Sequence, residues 1–155
     1  MFCKKRKSMD AIKFKKLFDD TILPTYAYQD DAGMDIFSHE EKIIEAGKWA
    51  LVKTGFSMEL PHGYEAQVRS KSGIALKSGV FCLNSPGTID ENYRGEVGVI
   101  LMNLSNEPYR IFKQQKVAQM VIARVEHLDA VICDNLEKSQ RGVGGFGSTG
   151  LNIKE

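Results

Sequence analysis

Trp49-Ala50-Leu51-Val52-Lys53-Thr54-Gly55-Phe56 is strand-like, Pro61-His62-Gly63 is a turn, and Tyr64-Glu65-Ala66-Gln67-Val68-Arg69 is strand-like again. The same rhythm extends in both directions. Upstream, Ile12-Lys13-Phe14-Lys15 alternates with period two, the pattern of a half-buried strand. Downstream, residues 80–83, 95–104 and 117–125 are strand-like. Pro24, Gly33, Gly47, Ser85-Pro86-Gly87 and Asn106-Glu107-Pro108 punctuate them. Several short strands separated by turn residues predict an all-β sandwich or barrel. One stretch dissents: Ser38-His39-Glu40-Glu41 fits a helix capping box, and residues 40–46 are good helix formers.

The chain has 155 residues, which suits one domain. At 43% hydrophobic and 26% charged it has the composition of an ordinary globular protein. The net charge of +1 argues against bulk nucleic-acid binding. That balance hides an asymmetry. Lys4, Lys5, Arg6, Lys7, Lys13, Lys15 and Lys16 crowd the first sixteen residues against one acid, Asp10, and the remainder is mildly acidic. Residues 1–8 read as a basic N-terminal extension, 9–138 as the β domain, and 139–155 as a mobile glycine-rich tail. No apolar run is long enough for a membrane helix or a secretory signal. Cys3, Cys82 and Cys133 have neither metal-ligand nor disulfide-framework spacing, which fits a reducing compartment and a cytoplasmic location, with nuclear or organellar sites open.

Three segments carry chemistry. Gly142-Val143-Gly144-Gly145-Phe146-Gly147 matches the dinucleotide fingerprint in letters only, because no helix and no acid some 20 residues on can follow it. With Arg141 before it and Ser148-Thr149 after it, the segment supplies a guanidinium, hydroxyls and many N–H groups, the makings of an anion-binding flap, and Phe146 can stack on a flat ring. Arg69-Ser70-Lys71-Ser72-Gly73 follows a strand and opens a short helical turn, where cations and free N–H groups suit phosphate; a solvated surface turn is the plainer reading. Residues 84–95 read as a hairpin with Pro and Gly at its bends. Within it Asp90 is either a general base or a cap on its own turn. Tyr93 is either functional or a core aromatic. His39, His62 and His127 lie far apart and read as surface residues, and no H-x-E with P-C-x-x-C supports zinc-type deamination.

In this order the segments resemble the five motifs of the trimeric dUTPases, from about Ile12 to Gly150. Ala32-Gly33-Met34-Asp35-Ile36 is similar to the first, residues 69–75 to the second and residues 87–96 to the third, with Asn84 just upstream. Lys116-Val117-Ala118-Gln119 is similar to the fourth and residues 141–150 to the fifth, the most specific match. The second motif often has Pro and Arg where Ser70 and Lys71 stand, and the fourth often opens with Gly, an acid and Arg where Gln114-Gln115-Lys116 stand. Lysine keeps the charge and loses the planar fork.

The resemblance implies a β jelly roll with one short helix and a flexible C-terminal flap, assembled as a homotrimer whose active sites draw on more than one subunit. It implies hydrolysis of dUTP to dUMP and pyrophosphate, assisted by Mg²⁺, which limits uracil in DNA and supplies dUMP for thymidylate synthesis. By the same resemblance Asp90 activates the water that attacks the α-phosphorus, and Asp35 reaches the metal through bound water. Lys71, Ser72, Gly73 and Gln119 hold phosphate oxygens, and Arg69 is a further substrate-binding residue. Asn84, Gly87, Thr88 and Ile89 read the uracil edge, and Tyr93 packs under the deoxyribose. Arg141, Gly147, Ser148 and Thr149 close on the γ-phosphate, with Phe146 over the uracil. The family places a strand near residues 42–44, so a strand is expected there against the local helix signal. The related dCTP deaminases share the fold and are the nearest alternative activity; a non-catalytic nucleotide-binding protein is another.

Overall fold

The computed structural model describes residues 11–148. It contains eleven strands and one helix: β1 (Lys13–Lys16), β2 (Gly33–Phe37), β3 (Lys42–Ile44), β4 (Trp49–Lys53), β5 (Phe56–Glu59), β6 (Tyr64–Ser70), α1 (Ser72–Ser78), β7 (Val80–Cys82), β8 (Gly87–Ile89), β9 (Gly98–Asn103), β10 (Tyr109–Ile111) and β11 (Lys116–Arg124). A four-stranded sheet runs β2-β11-β6-β8 and a three-stranded sheet runs β4-β9-β7. The pairs β1-β5 and β3-β10 complete the structure, and every pairing is antiparallel. Among the described residues no helix is long and apolar enough to cross a membrane.

Side-chain alternation explains how the layers meet. In β9, Val99, Leu101 and Asn103 are buried while Gly98, Ile100 and Met102 are half-buried on the other face. Ile36, Ala66, Val68, Ala118 and Met120 from the large sheet join Val52, Val80, Val99 and Leu101 from the smaller one in a single core with Phe56 and Met58 of β5. Phe14 of β1 meets Phe56 edge to face at 5.6 Å, a favoured aromatic geometry. The buried polar groups in this core are satisfied.

Most expected strands form within a few residues of their expected limits, and the dissenting stretch is strand β3, as the family resemblance implies. Ile44 is fully buried and β3 pairs with β10, so burial overrides the local helix signal. The Ser38 hydroxyl closes a tight local turn instead of capping a helix, accepting from Glu40 N at 3.2 Å and donating to Glu40 O at 2.6 Å. The stretch from Trp49 to Phe56 is not one strand. It breaks into β4 and β5 at Gly55, which has φ +75° and lies where a Cβ would strike the Thr21 hydroxyl and the His39 ring. His39 is therefore not a surface residue: it is half-buried, with its ring stacked on Phe18 at 4.3 Å. His62 and His127 are exposed as expected.

The expected hairpin over residues 84–95 is also corrected. Its strand β8 pairs with β6, and the chain then crosses to the other sheet at β9. Residues 91–96 are held by side chains in place of a ladder. Glu91 accepts from Gly63 N, Glu96 accepts from Gly55 N at 2.9 Å, and the Tyr93 hydroxyl donates to Glu96 O at 2.9 Å.

Asn103 ties the end of β9 to its surroundings. Its fully buried amide donates to Ile44 O at 2.9 Å and Glu107 O at 2.8 Å, while its oxygen accepts from Ser105 N at 3.0 Å. Asn103→Ala strands the buried Ile44 carbonyl, while Glu107 O keeps the Ser105 hydroxyl, and should lower stability by about 1–3 kcal/mol, the cost of an unmet buried group. Urea unfolding measures this, and a loss below about 1 kcal/mol means water restores the lost bonds.

Candidate active site

β11 brings two of the sequence segments together with a third. It pairs with β2 on one side and β6 on the other, so Gln119 lies opposite both Asp35 and Arg69. Directly opposed residues share a face of the sheet. The register of β11 against β2 shifts between Lys116 and Ala118, leaving Val117 as an extra residue. Strict alternation would put Lys116 and Gln119 on opposite faces. The bulge puts both on the Asp35 face, and lets Val117 and Ala118 be buried in succession.

Asp35 is the hub of that face. It is only 7% exposed, and its two oxygens face two ammonium groups: Lys71 Nζ lies 2.6 Å from Oδ1 and Lys116 Nζ lies 2.6 Å from Oδ2. Lys71 arrives as the residue capping the start of α1, directly after β6. Burial pushes the Asp35 pKa up, but hydrogen bonds from Lys116 and Lys71 outweigh it and hold the group below its ordinary 3.8. Asp35, Lys71, Gln119 and Gly33 line an open cleft of about 350 Å³ with Tyr28 and Asp31. Gly33 lets the Gln119 amide lie close, since a Cβ would stand 2.7 Å from Gln119 Oε1 and displace it. Gln119 itself donates to Ser70 O at 3.0 Å. Ser72 and Gly73 follow Lys71, exposed, at the start of α1. Arg69 is exposed and its guanidinium hydrogen-bonds Gln67.

A second cavity, of about 190 Å³, is lined by Thr88, Ile89, Asp90, Tyr93, Val97 and Gly98. Asp90 is exposed, and among the described residues its carboxylate accepts no hydrogen bond. Tyr93 N donates to the backbone carbonyl of Asp90 at 3.1 Å, so the turn closes without the side chain. This removes the reading of Asp90 as a cap. Tyr93 is exposed, not a core aromatic; Gly95 packs against its ring where a Cβ would collide. Asn84 packs against Gly87, with its amide nitrogen 3.1 Å from where a Cβ would stand.

The two clusters share no lining residue. Ile89 faces Ala66, near the start of β6, and Lys71 lies one residue beyond its end. At about 3.3 Å per residue, Asp90 and Lys71 of one chain are roughly 20 Å apart. The glycine-rich segment joins neither cluster. Arg141 Nε bonds Gly144 O at 2.8 Å, and Phe146, Gly147 and Ser148 are exposed. Thr149 lies outside the described residues, as do residues 1–10.

Lys116 is the member of the cluster that sequence reasoning left out of the site. Its only signal was a cation three residues before Gln119, and the bulge that turns it onto the Asp35 face is invisible in the residue pattern.

Asp35→Asn tests the ion-pair cluster. The folded pKa of Asp35 is depressed, so its contribution is complete above the unfolded value of 3.8 and is lost as pH falls through the folded one. The variant should be less stable than the parent by about 1–2 kcal/mol at pH 7, less than a fully buried pair because both lysines reach solvent. The difference should shrink below pH 3.8 in melts taken across pH. A gap that is constant with pH contradicts the assignment.

The family model for dUTPase matches residues 19–150. A deoxyuridine 5'-triphosphate nucleotidohydrolase of Clostridium acetobutylicum is 54% identical over 140 residues, covering 90% of this chain and 97% of that one. Its counterpart in Clostridium tetani is 53% identical over 139 residues, covering 90% and 96%. Among solved structures, a mutant of the Staphylococcus bacteriophage 80alpha dUTPase with dUpNHpp superposes with a TM-score of 0.84 at 27% identity, covering 91% of this chain and 99% of that one. The β sandwich is thus the expected jelly roll, and the chain belongs to the dUTPase family.

Proposed function

We infer that this chain hydrolyses dUTP to dUMP and pyrophosphate, the reaction that keeps uracil out of DNA and supplies dUMP for thymidylate synthesis. The observation that carries the reading is the carboxylate of Asp90, unengaged among the described residues, on a small cavity whose other walls include Thr88, Ile89 and Tyr93. A carboxylate with no internal partner is available to a water molecule. In the proposed step Asp90 takes a proton from that water as its oxygen bonds to the α-phosphorus. The bond from the α-phosphorus to the oxygen bridging to the β-phosphate breaks, and pyrophosphate leaves. Asn84, Gly87, Thr88 and Ile89 hold the uracil edge. Tyr93, fixed by its hydroxyl bond and by Gly95, lies under the deoxyribose, where a 2′-hydroxyl would clash.

The triphosphate belongs in the lysine cleft. Lys71, Ser72, Gly73 and Gln119 hold its oxygens, with Arg69 nearby, and the cationic groups offset the charge that builds on the leaving pyrophosphate. Two ammonium groups already poised on Asp35 can transfer to phosphate oxygens with little reorganisation. Mg²⁺ fits the same cleft. It typically binds through one or two carboxylates, its own waters and substrate phosphates, and Asp35 is an ionised carboxylate lining the cleft beside Asp31. When bound it neutralises phosphate charge. Arg141, Phe146, Gly147, Ser148 and Thr149 then close over the nucleotide and exclude water.

We propose a homotrimer with shared sites. The roughly 20 Å between Asp90 and Lys71 along β6 supports it, because the α-phosphorus has to lie within reach of a water held by Asp90 while the adjoining phosphates meet the cations. The surface supports it too. The outer face of the three-stranded sheet presents Trp49 and Leu51 exposed beside Ile100, Met102 and Phe81, and the segment after β11 exposes Leu128, Val131, Ile132 and Leu136. Apolar surfaces of this extent mark contact sites.

Pyrophosphate release across dUTP, dTTP, dCTP and UTP, with and without Mg²⁺, tests the activity. Release should be confined to dUTP, with a loss on the order of 100-fold or more for the others, and should fall when Mg²⁺ is chelated. Ammonia release from dCTP, or equal turnover of UTP, contradicts the reading.

A further inference from the structure

The mechanism needs the direction of the Asp90 carboxylate fixed, yet nothing described holds that side chain itself. What is fixed is the residue beside it. Glu91 leaves the turn and reaches the Pro61-His62-Gly63 corner, where Oε2 accepts from Gly63 N at 2.6 Å and Oε1 lies 2.9 Å from His62 Nδ1. That corner is anchored in turn: Val125 N, just past the end of β11, donates to Gly63 O at 3.0 Å. On the other side of Glu91, Arg94 Nη1 donates to the carbonyls of Glu91 at 2.6 Å and of Tyr93 at 3.0 Å. Behind Asp90, Ile89 is locked into the ladder with β6. Asp90 therefore sits between one residue held by a sheet and another held by a two-point carboxylate strap.

We propose that Glu91 is a positioning residue for the catalytic step, strapping the Asp90 turn to the Pro61–Gly63 corner and so aiming the Asp90 carboxylate at the attacking water. The inference rests on the reading of Asp90 as the base. The strap suits the task for three reasons. Hydrogen bonds to an ionised carboxylate are shorter and stronger than neutral ones. The strap joins the corner before β6 to the turn after β8, just past the last rung of the β6–β8 ladder at Ala66 and Ile89, where strand pairing no longer holds the chain. It also keeps its charge at working pH, because hydrogen bonds from His62 and Gly63 N hold the Glu91 pKa below its ordinary 4.5. Glu65, Asp90 and His127 face the same cleft, of about 350 Å³, as Glu91 does, so a slack strap also lets Asp90 swing toward that cleft and away from the substrate cavity.

The test is a double-mutant cycle on the full-length protein, reading kcat, KM and melting temperature with dUTP and Mg²⁺. Glu91→Ala should lower kcat on the order of 10–100-fold, the scale of an ångström-level misplacement, with KM changed by about twofold or less. Glu91→Gln keeps an acceptor for Gly63 N and should restore most of the loss. In an Asp90→Asn background Glu91→Ala should cost less than about twofold further, because the group it aims is gone. Unchanged kcat in Glu91→Ala overturns the proposal. So does an equal loss in both backgrounds, above all with a melting temperature lowered by more than a few degrees, since that is a purely structural effect. Failure of the underlying reading shows separately: Asp90→Asn alone would then keep its turnover, and the strap would have nothing to aim.

Discussion

The site depends on one pairing, that of β11 with β2 and β6 at once, carrying a bulge at Val117. That register sets Asp35, Gln119 and Arg69 in a row across three strands that are distant in sequence. The bulge adds Lys116 to the same face, opposite Lys71, and gives Asp35 its second ammonium group. Both positions carry lysine where related motifs often carry arginine. Point charges suffice for a carboxylate held from two sides, whereas a planar fork would favour a bidentate partner. Without the bulge, Lys116 would face the core and Val117 the solvent, and the cluster would lose half its cations.

A second constraint follows from the first. β6 pairs with β11 along its length and with β8 near its start, so it works as a ruler between the lysine cleft and the Asp90 cavity. The roughly 20 Å it spans between Asp90 and Lys71 is what the proposal of shared sites rests on. The exposed apolar residues Trp49 and Leu51, and Leu128, Val131, Ile132 and Leu136 after β11, are surface that such an assembly would cover. The proposed assembly would satisfy both demands together, with the single chain supplying parts to several sites.

Much of the fold was legible because period-two alternation survives in short strands, as in β6 and β9. Strand β3 was legible only through the family resemblance, since its local sequence favours a helix and only the burial of Ile44 decides otherwise. What sequence could not disclose was set by backbone geometry. The break at Gly55 depends on a positive φ and on the Thr21 and His39 side chains packed against it. The Val117 bulge leaves no mark in the residue pattern, so Lys116 was missed. The supposed hairpin at residues 84–95 has turn residues at both bends, but its backbone is claimed by β6 instead. The motif residues themselves were legible as chemistry, and Asp90 shows the limit. Its letters allow a cap or a base, and only the absence of a partner among the described residues favours the base. Glu91, one residue on, carried no signal, because its role lies in a contact with Gly63 and His62 across the fold.

The central claim is that Asp90 and Lys71 serve the same nucleotide from different chains. Mixing two inactive variants tests it most directly: Asp90→Asn chains and Lys71→Met chains, unfolded together and refolded as mixed trimers, then assayed for dUTP turnover. If each site takes its carboxylate from one chain and its lysine from another, about a quarter of the sites in a random equal mixture are intact. Activity should then return to about that fraction of the parent. Turnover no higher than that of the two variants assayed separately would place Asp90 and Lys71 in a single chain's site and contradict the account.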